Sequence, residues 1–226
     1  MKSLNNWLLV LSVLSCIGCS SPVHEDGRGC AFVSDSIQYR VEFMSAGCVR
    51  ILSFPEGDTL VTRRLVVDSE KPAFKDYKWE DTGQKLLFRT RELSVVFDKA
   101  DAAFIFQETS TGKLLLKEKG DRKARNFKRS VAGGEQCLEV TQRFVPTEDE
   151  AIYGLGQYQN GIMSYRGKSV LLLQANMDIV NPFLISTIGY GVLWDNYSST
   201  KFEDTKEGYS FTSEVGDASD YYFVYG

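Results

Sequence analysis

Four acidic residues in the second half of the chain, Asp178, Asp195, Glu203 and Asp204, are candidates for a working carboxylate pair, together with the acidic run TEDEA at 147–151. Two carboxyl groups in contrasting environments, roughly 5 to 10 Å apart, cleave acetal linkages, one as acid and the other as base or nucleophile. Most acids in such runs only solvate a surface, so type and spacing alone single out no pair. Other chemistries are narrower still. The only histidine, His24, lies beside Glu25 and Asp26 in a polar stretch, so no Ser-His-Asp arrangement can be assembled around it. YGLGQYQNG (153–161) is glycine-rich, but no helical pattern follows to cradle a phosphate. Cys30, Cys48 and Cys137 match no zinc spacing. They allow at most one disulfide and read best as small buried apolar residues. Nothing calls for a metal or a cofactor.

A second constellation is the row Trp194, Asp195, Asn196, Tyr197, closing the stretch NPFLISTIGYGVLWDNYS (181–198). Such side chains stack on sugar rings and hydrogen-bond hydroxyls. They also end strands, the aromatics packing inward while Asp and Asn satisfy turn backbone. The structural reading is the favoured one, with Phe183 and Trp194 both expected as core anchors. After removal of the leader, Trp79 and Trp194 are the only tryptophans left to act as stacking platforms.

Stepping outward, 26 basic against 30 acidic side chains leave a net charge of −4, with no overall footprint for nucleic acid. The basic run DRKARNFKRS (121–130) reads as a solvated loop. Residues 1–18 read as a lipoprotein signal peptide: Lys2 precedes an apolar stretch from Trp7 to Ile17, too short to span a bilayer. Within VLSCIGCSS, Cys19 follows a small residue and precedes two serines, which makes it the expected lipidation site, with Cys16 as the alternative. A redox role for the Cys16/Cys19 pair fits poorly inside an apolar leader. Residues 19–34 then read as a flexible tether, implying export and a membrane anchor in the periplasm or at the surface of a Gram-negative cell. Orientation between the two is left open.

From residue 35 to 226 the dominant period is two. In SIQYRVEFMS (36–45), Ile37, Tyr39, Val41 and Phe43 share one face and polar residues the other, the pattern of a half-buried strand. CVRILSF, LSVVFD, AFIFQE, KLLLKE, QCLEVTQRF, SVLLLQA, YSFTSE and DYYFVYG are further candidate strands, and PFLIS with YGVLW forms a hairpin. No apolar series at helical spacing follows the leader. The expected fold is all-β, a large antiparallel β-sandwich. The apolar end, DYYFVYG, suggests a chain cut at a domain junction.

IYGLGQ (152–157), LLQANMDIVNPFLIS (172–186) and GYGVLWDNYS (189–198), in that order, resemble glycoside hydrolase family 31, and most of all its bacterial α-xylosidase branch. The resemblance implies a galactose mutarotase-like sandwich that precedes a catalytic (β/α)8 barrel, absent here, from which the family's two catalytic aspartates come. It therefore places no catalytic residue in this chain, which alone is expected to be inactive. What it does imply is a loop, Gln174 to Asp178, that leans over the barrel mouth, with Asn176 and Asp178 as candidate sugar contacts. Asp178 as a plain turn residue remains the rival reading. The implied partner of the full enzyme is an oligosaccharide carrying α-linked xylose, such as a xyloglucan side chain. A stand-alone carbohydrate-binding lipoprotein is the alternative function. A sugar epimerase is not, because that chemistry on this fold relies on histidines.

Overall fold

The computed structural model describes residues 22–58, 66–67 and 73–226. The signal peptide, Cys16 and Cys19 lie outside the described residues. Alternating apolar positions, punctuated by turns that need left-handed backbone, produce eighteen strands among the described residues and no helix. In chain order they are β1 (His24–Glu25), β2 (Cys30–Ser34), β3 (Ile37–Ser45), β4 (Cys48–Pro55), β5 (Lys78–Asp81), β6 (Lys85–Arg89), β7 (Leu93–Asp98), β8 (Ala103–Glu108) and β9 (Leu114–Glu118). There follow β10 (Arg125–Ala132), β11 (Glu135–Val145), β12 (Ile152–Gln157), β13 (Ser169–Leu172), β14 (Ile179–Ser186), β15 (Tyr190–Trp194), β16 (Thr200–Thr205), β17 (Gly208–Gly216) and β18 (Ser219–Tyr225).

They form two antiparallel sheets. One runs β1-β2-β3-β4-β18-β15-β14-β12; the other runs β13-β16-β17-β11-β9-β8-β7-β6-β5, with β10 paired to β11 alongside. The expected sandwich is what the chain forms. Its core lies between the sheets and is largely aromatic. Phe106 of β8 stacks on Phe223 of β18 with ring centroids 4.2 Å apart, and Phe144 of β11 meets Tyr221 of β18 edge-on at 5.1 Å. Phe32 and Tyr39 from the first sheet close on Phe97 of the second at 4.8 and 4.9 Å. Such offset and edge-to-face pairs add to the gain from burying apolar area.

Two expectations need correction. The stretch 19–34 is not all tether: β2 pairs with β3 along its whole length, from Cys30↔Val41 to Ser34↔Ile37, and β1 pairs with β2. Cys30 and Phe32 are buried there, so the sandwich begins before residue 35. The basic run 121–130 is likewise not all loop. From Arg125 it is strand β10, in register with β11 from Arg125↔Gln142 to Ala132↔Glu135. Most of its side chains are solvated, but Arg125 is buried against Glu118. Of the cysteines, Cys30 is buried, Cys48 and Cys137 are half-buried, and all three are free thiols. Burial pushes the Cys30 and Cys48 thiols up to about 11, away from the reactive thiolate.

Candidate functional site

The loop Gln174–Asp178 joins β13 of one sheet to β14 of the other, at one end of the sandwich. It closes on itself through a bridge between Ala175 and Asp178, whose amide donates to the Ala175 carbonyl at 3.3 Å. Gln174 clamps its base. Its Nε2 donates to the Asp178 carbonyl at 2.9 Å, and its Oε1 accepts from the Val180 amide at 3.1 Å. Asn176 and Met177 are thereby held out in solvent, with Asp178 partly covered. Both predicted contact residues, Asn176 and Asp178, therefore stand on one tied loop.

The glycines of IYGLGQ shape the neighbouring strand. At Gly154 and Gly156, φ is +98° and +118°, and an added Cβ would lie 2.4 Å from the Phe183 carbonyl oxygen and 2.1 Å from that of Ile179. Only glycine tolerates that backbone and that approach. The register between β12 and β14 shifts between them, a bulge that leaves Leu155, at φ +65°, fully buried. After the bulge comes Tyr158, whose hydroxyl donates to the Leu155 carbonyl at 2.9 Å. Burial first, then the nearby Tyr165 and Asp178, push Tyr158 up to about 12.

The same region exposes apolar side chains. Tyr153 and Ile185 are cross-strand partners on β12 and β14, so they share a face. Both are exposed, as are Leu171, Leu173, Met177 and Ile179 around the loop. An exposed apolar pair such as Tyr153 and Ile185 is the kind of surface that marks a contact area when others join it.

The row 194–197 divides. Trp194 is fully buried; its Nε1 donates to Ser213 Oγ at 2.9 Å and its ring stacks on Phe211 at 5.6 Å. Asn196 serves the turn as expected, donating to the Val215 carbonyl at 3.0 Å and accepting from the Ser198 amide at 2.8 Å. The other two depart from expectation. Tyr197 is 58% exposed rather than packed. Asp195 meets neighbouring backbone through its amide, which donates to the Asp220 carbonyl at 2.9 Å, while its carboxylate Oδ1 is buried without a hydrogen-bond partner. Phe183 is no core anchor either: it is half-buried, with its ring laid over Gly191, where a Cβ would meet it at 2.6 Å. Trp79 is half-buried and its indole donates to Glu25 at 3.2 Å, tying β5 to β1.

The remaining candidate acids hold structure together. Asp204, read from sequence as a surface acid, is buried, accepting from the Gly167 amide at 2.6 Å and pairing with Arg166 at 3.3 Å. Glu203 pairs with Lys201 at 2.7 Å. Glu150 is buried, accepting from the Thr147 amide at 2.9 Å and from the Tyr190 hydroxyl. Among the described residues no group of three His, Cys, Asp or Glu side chains is placed to hold a metal ion.

Residues 38–203 match the family model described as the glycosyl hydrolase 31 N-terminal galactose mutarotase-like domain. The chain belongs to glycoside hydrolase family 31. An α-xylosidase of Saccharolobus solfataricus is 32% identical over 206 residues, which take in 84% of this chain and 26% of that enzyme. A crystal structure of a family 31 α-xylosidase from Xanthomonas citri superposes with a TM-score of 0.71 at 31% identity, covering 81% of this chain and 20% of that one. A soil-metagenome α-xylosidase of the same family, solved with xylose, gives a TM-score of 0.76 at 22% identity over 91% of this chain and 32% of its own, a likeness of fold. The chain thus spans about a quarter of the S. solfataricus enzyme's length and corresponds to the N-terminal mutarotase-like sandwich of family 31 enzymes. The loop clamp Gln174 was not foreseen. It lies inside QANMD, but a glutamine that ties its own loop has no signature distinct from one that reaches a ligand.

Proposed function

We propose that this sandwich is the supporting module of an α-xylosidase-type hydrolase. Its loop Gln174–Asp178 borders the sugar pocket, and the apolar face around the loop seats the catalytic barrel. The observation that carries the reading is a single tied loop on which Gln174 holds Asn176 out into solvent with Asp178 half-covered beside it, near exposed Tyr153, Met177, Ile179 and Ile185. A tied loop rimmed by unburied apolar surface suits a junction where a second domain covers the surface and leaves the loop tip facing a ligand. An amide and a carboxylate there accept hydrogen bonds from sugar hydroxyls. The relatives point to α-linked xylose as the sugar, and xyloglucan side chains are the natural polymer that offers it.

The test uses a chain carrying both the sandwich and a family 31 barrel, acting on an aryl α-xyloside. Asn176→Ala or Asp178→Ala lowers kcat/KM by about 1 to 3 kcal/mol of transition-state stabilisation, the range for leaving a polar partner unsatisfied. Unchanged kcat/KM in both variants removes the loop from the pocket. The 226-residue chain assayed alone releases no nitrophenol.

Export as a lipoprotein belongs to the same proposal. Its support is the apolar leader and the small residue before Cys19. Mass spectrometry of the N-terminal peptide from bacterial membranes should show a diacylglyceryl group on Cys19; a serine-led terminus would refute the anchor.

A further inference from the structure

Beside the loop, and separate from its tip, a cleft of about 360 Å³ opens between the start of β14, the end of β15 and the segment that follows it. Its lining includes Asn181 and Pro182 on β14, then Asp195 and Tyr197 beyond β15. The volume lies at the small end of the range for ligand sites and is sufficient for a short saccharide. We infer that this cleft is a second carbohydrate-binding site, carried wholly by the sandwich, that takes a neutral pyranoside and holds it through Asp195 and Tyr197.

Three observations converge. The first is the buried Asp195 Oδ1 with no hydrogen-bond partner. A buried acceptor left unsatisfied is costly and calls for a partner that arrives from outside. The carboxylate torsion is broad, so a small rotation presents the pair of oxygens to a vicinal diol, which donates to both. The second is the Tyr197 ring, 58% exposed at the cleft edge although its neighbour Trp194 is fully buried. An exposed aromatic face beside a carboxylate offers a sugar both an apolar surface and an acceptor. The third is the half-exposed aliphatic floor from Val180, Pro182 and Leu193, which suits the C–H face of a pyranose better than a charged ligand. Among the described residues no basic side chain lines the cleft, which favours a neutral ligand over an anion.

The walls are tied by hydrogen bonds. Asn196 is held by Val215 and Ser198 and abuts Gly216, where a Cβ would lie 2.7 Å from its Nδ2. Thr200 shares a 2.6 Å hydrogen bond with Ser213, which also accepts from Trp194. Asp195 and Tyr197 thus stand between fixed neighbours, and a ligand meets a prepared site.

The inference rests on the carbohydrate reading above but not on the loop, and its test separates the two. The 226-residue chain is titrated with methyl α-xylopyranoside and with a xylosyl-α-1,6-glucose disaccharide, and amide shifts are followed by NMR. Saturable shifts centred on residues 181 and 195–197 are expected. Asp195→Asn and Tyr197→Ala each weaken binding by about tenfold or more, the scale of one hydrogen bond to a charged group. Lys128→Ala, on the solvated strand β10 and outside the cleft lining, leaves it unchanged. Native-like thermal unfolding of the variants excludes loss by misfolding. Absence of saturable shifts in the parent chain overturns the site, and so does binding that survives both cleft variants. Failure of the loop variants to affect hydrolysis in the barrel-bearing enzyme strikes only the earlier proposal.

Discussion

Trp194 and Phe183 sit on paired strands on either side of the turn at 187–189, yet the pleat sends them to opposite fates. Trp194 faces the other sheet, buried on Phe211 with its indole N–H on Ser213. Phe183, paired with Leu193, lies on the outer face and covers Gly191. Removing a fully buried large aromatic side chain costs about 3 to 5 kcal/mol; removing a half-buried ring forfeits only part of its transfer free energy, about 1 kcal/mol. Trp194→Ala should therefore lower the urea midpoint several times more than Phe183→Ala, at unchanged m. Equal losses would show that the outer face is as well packed as the core. Sequence alone made the two residues equivalent, because PFLIS and YGVLW are apolar at nearly every position and conceal which face points inward.

At the scale of elements, compact apolar runs bounded by polar turns were legible from the residues, LSVVFD and AFIFQE down to their ends. Three of those that escaped have sequences that obey a different demand. β10 is solvated over most of both faces, so nothing in RNFKRSVA needs to alternate, and only Arg125 betrays it by pairing inward with Glu118. β12 is broken by two glycines that serve a bulge, which no strand propensity favours. β16 alternates, but one of its inward residues is Asp204, satisfied by the Gly167 amide and Arg166, and a buried acid looks like a surface one until its partners are known. The candidate loop was legible in the same partial sense. The motif QANMD placed Asn176 and Asp178, while the clamp by Gln174 is a local contact with no signature of its own. The different roles taken along Trp194–Tyr197 depend on contacts between strands apart in sequence, such as Trp194 with Ser213 and Asn196 with Val215.

At the scale of the whole molecule, polar groups buried between the sheets fix how they stack. Glu118 of β9 accepts from the Tyr221 hydroxyl of β18 at 2.8 Å, from Gln142 at 2.8 Å, from the Phe104 amide at 2.7 Å and from Arg125. Tyr190 of β15 donates to Glu150 and lies 3.5 Å from the Tyr209 hydroxyl of β17. Burial, ahead of the neighbouring carboxylates, raises Tyr190, Tyr209 and Tyr221 well above the ordinary phenol value. The sign for stability follows. In the unfolded chain these phenols ionise near pH 10, while in the folded chain they keep their protons to higher pH. Their contribution is fully present below about pH 10 and is lost as pH rises, because the unfolded state then binds fewer protons. Each phenol that stays protonated in the native state adds a slope of about 1.4 kcal/mol per pH unit once its unfolded counterpart is ionised. Urea midpoints should therefore fall as pH rises above about 10. Tyr221→Phe should make that fall shallower while lowering stability at neutral pH, since Glu118 then loses one of its donors. A slope unchanged by Tyr221→Phe would mean that this phenol ionises equally in both states, and that the hydroxyl between β18 and β9 is open to solvent.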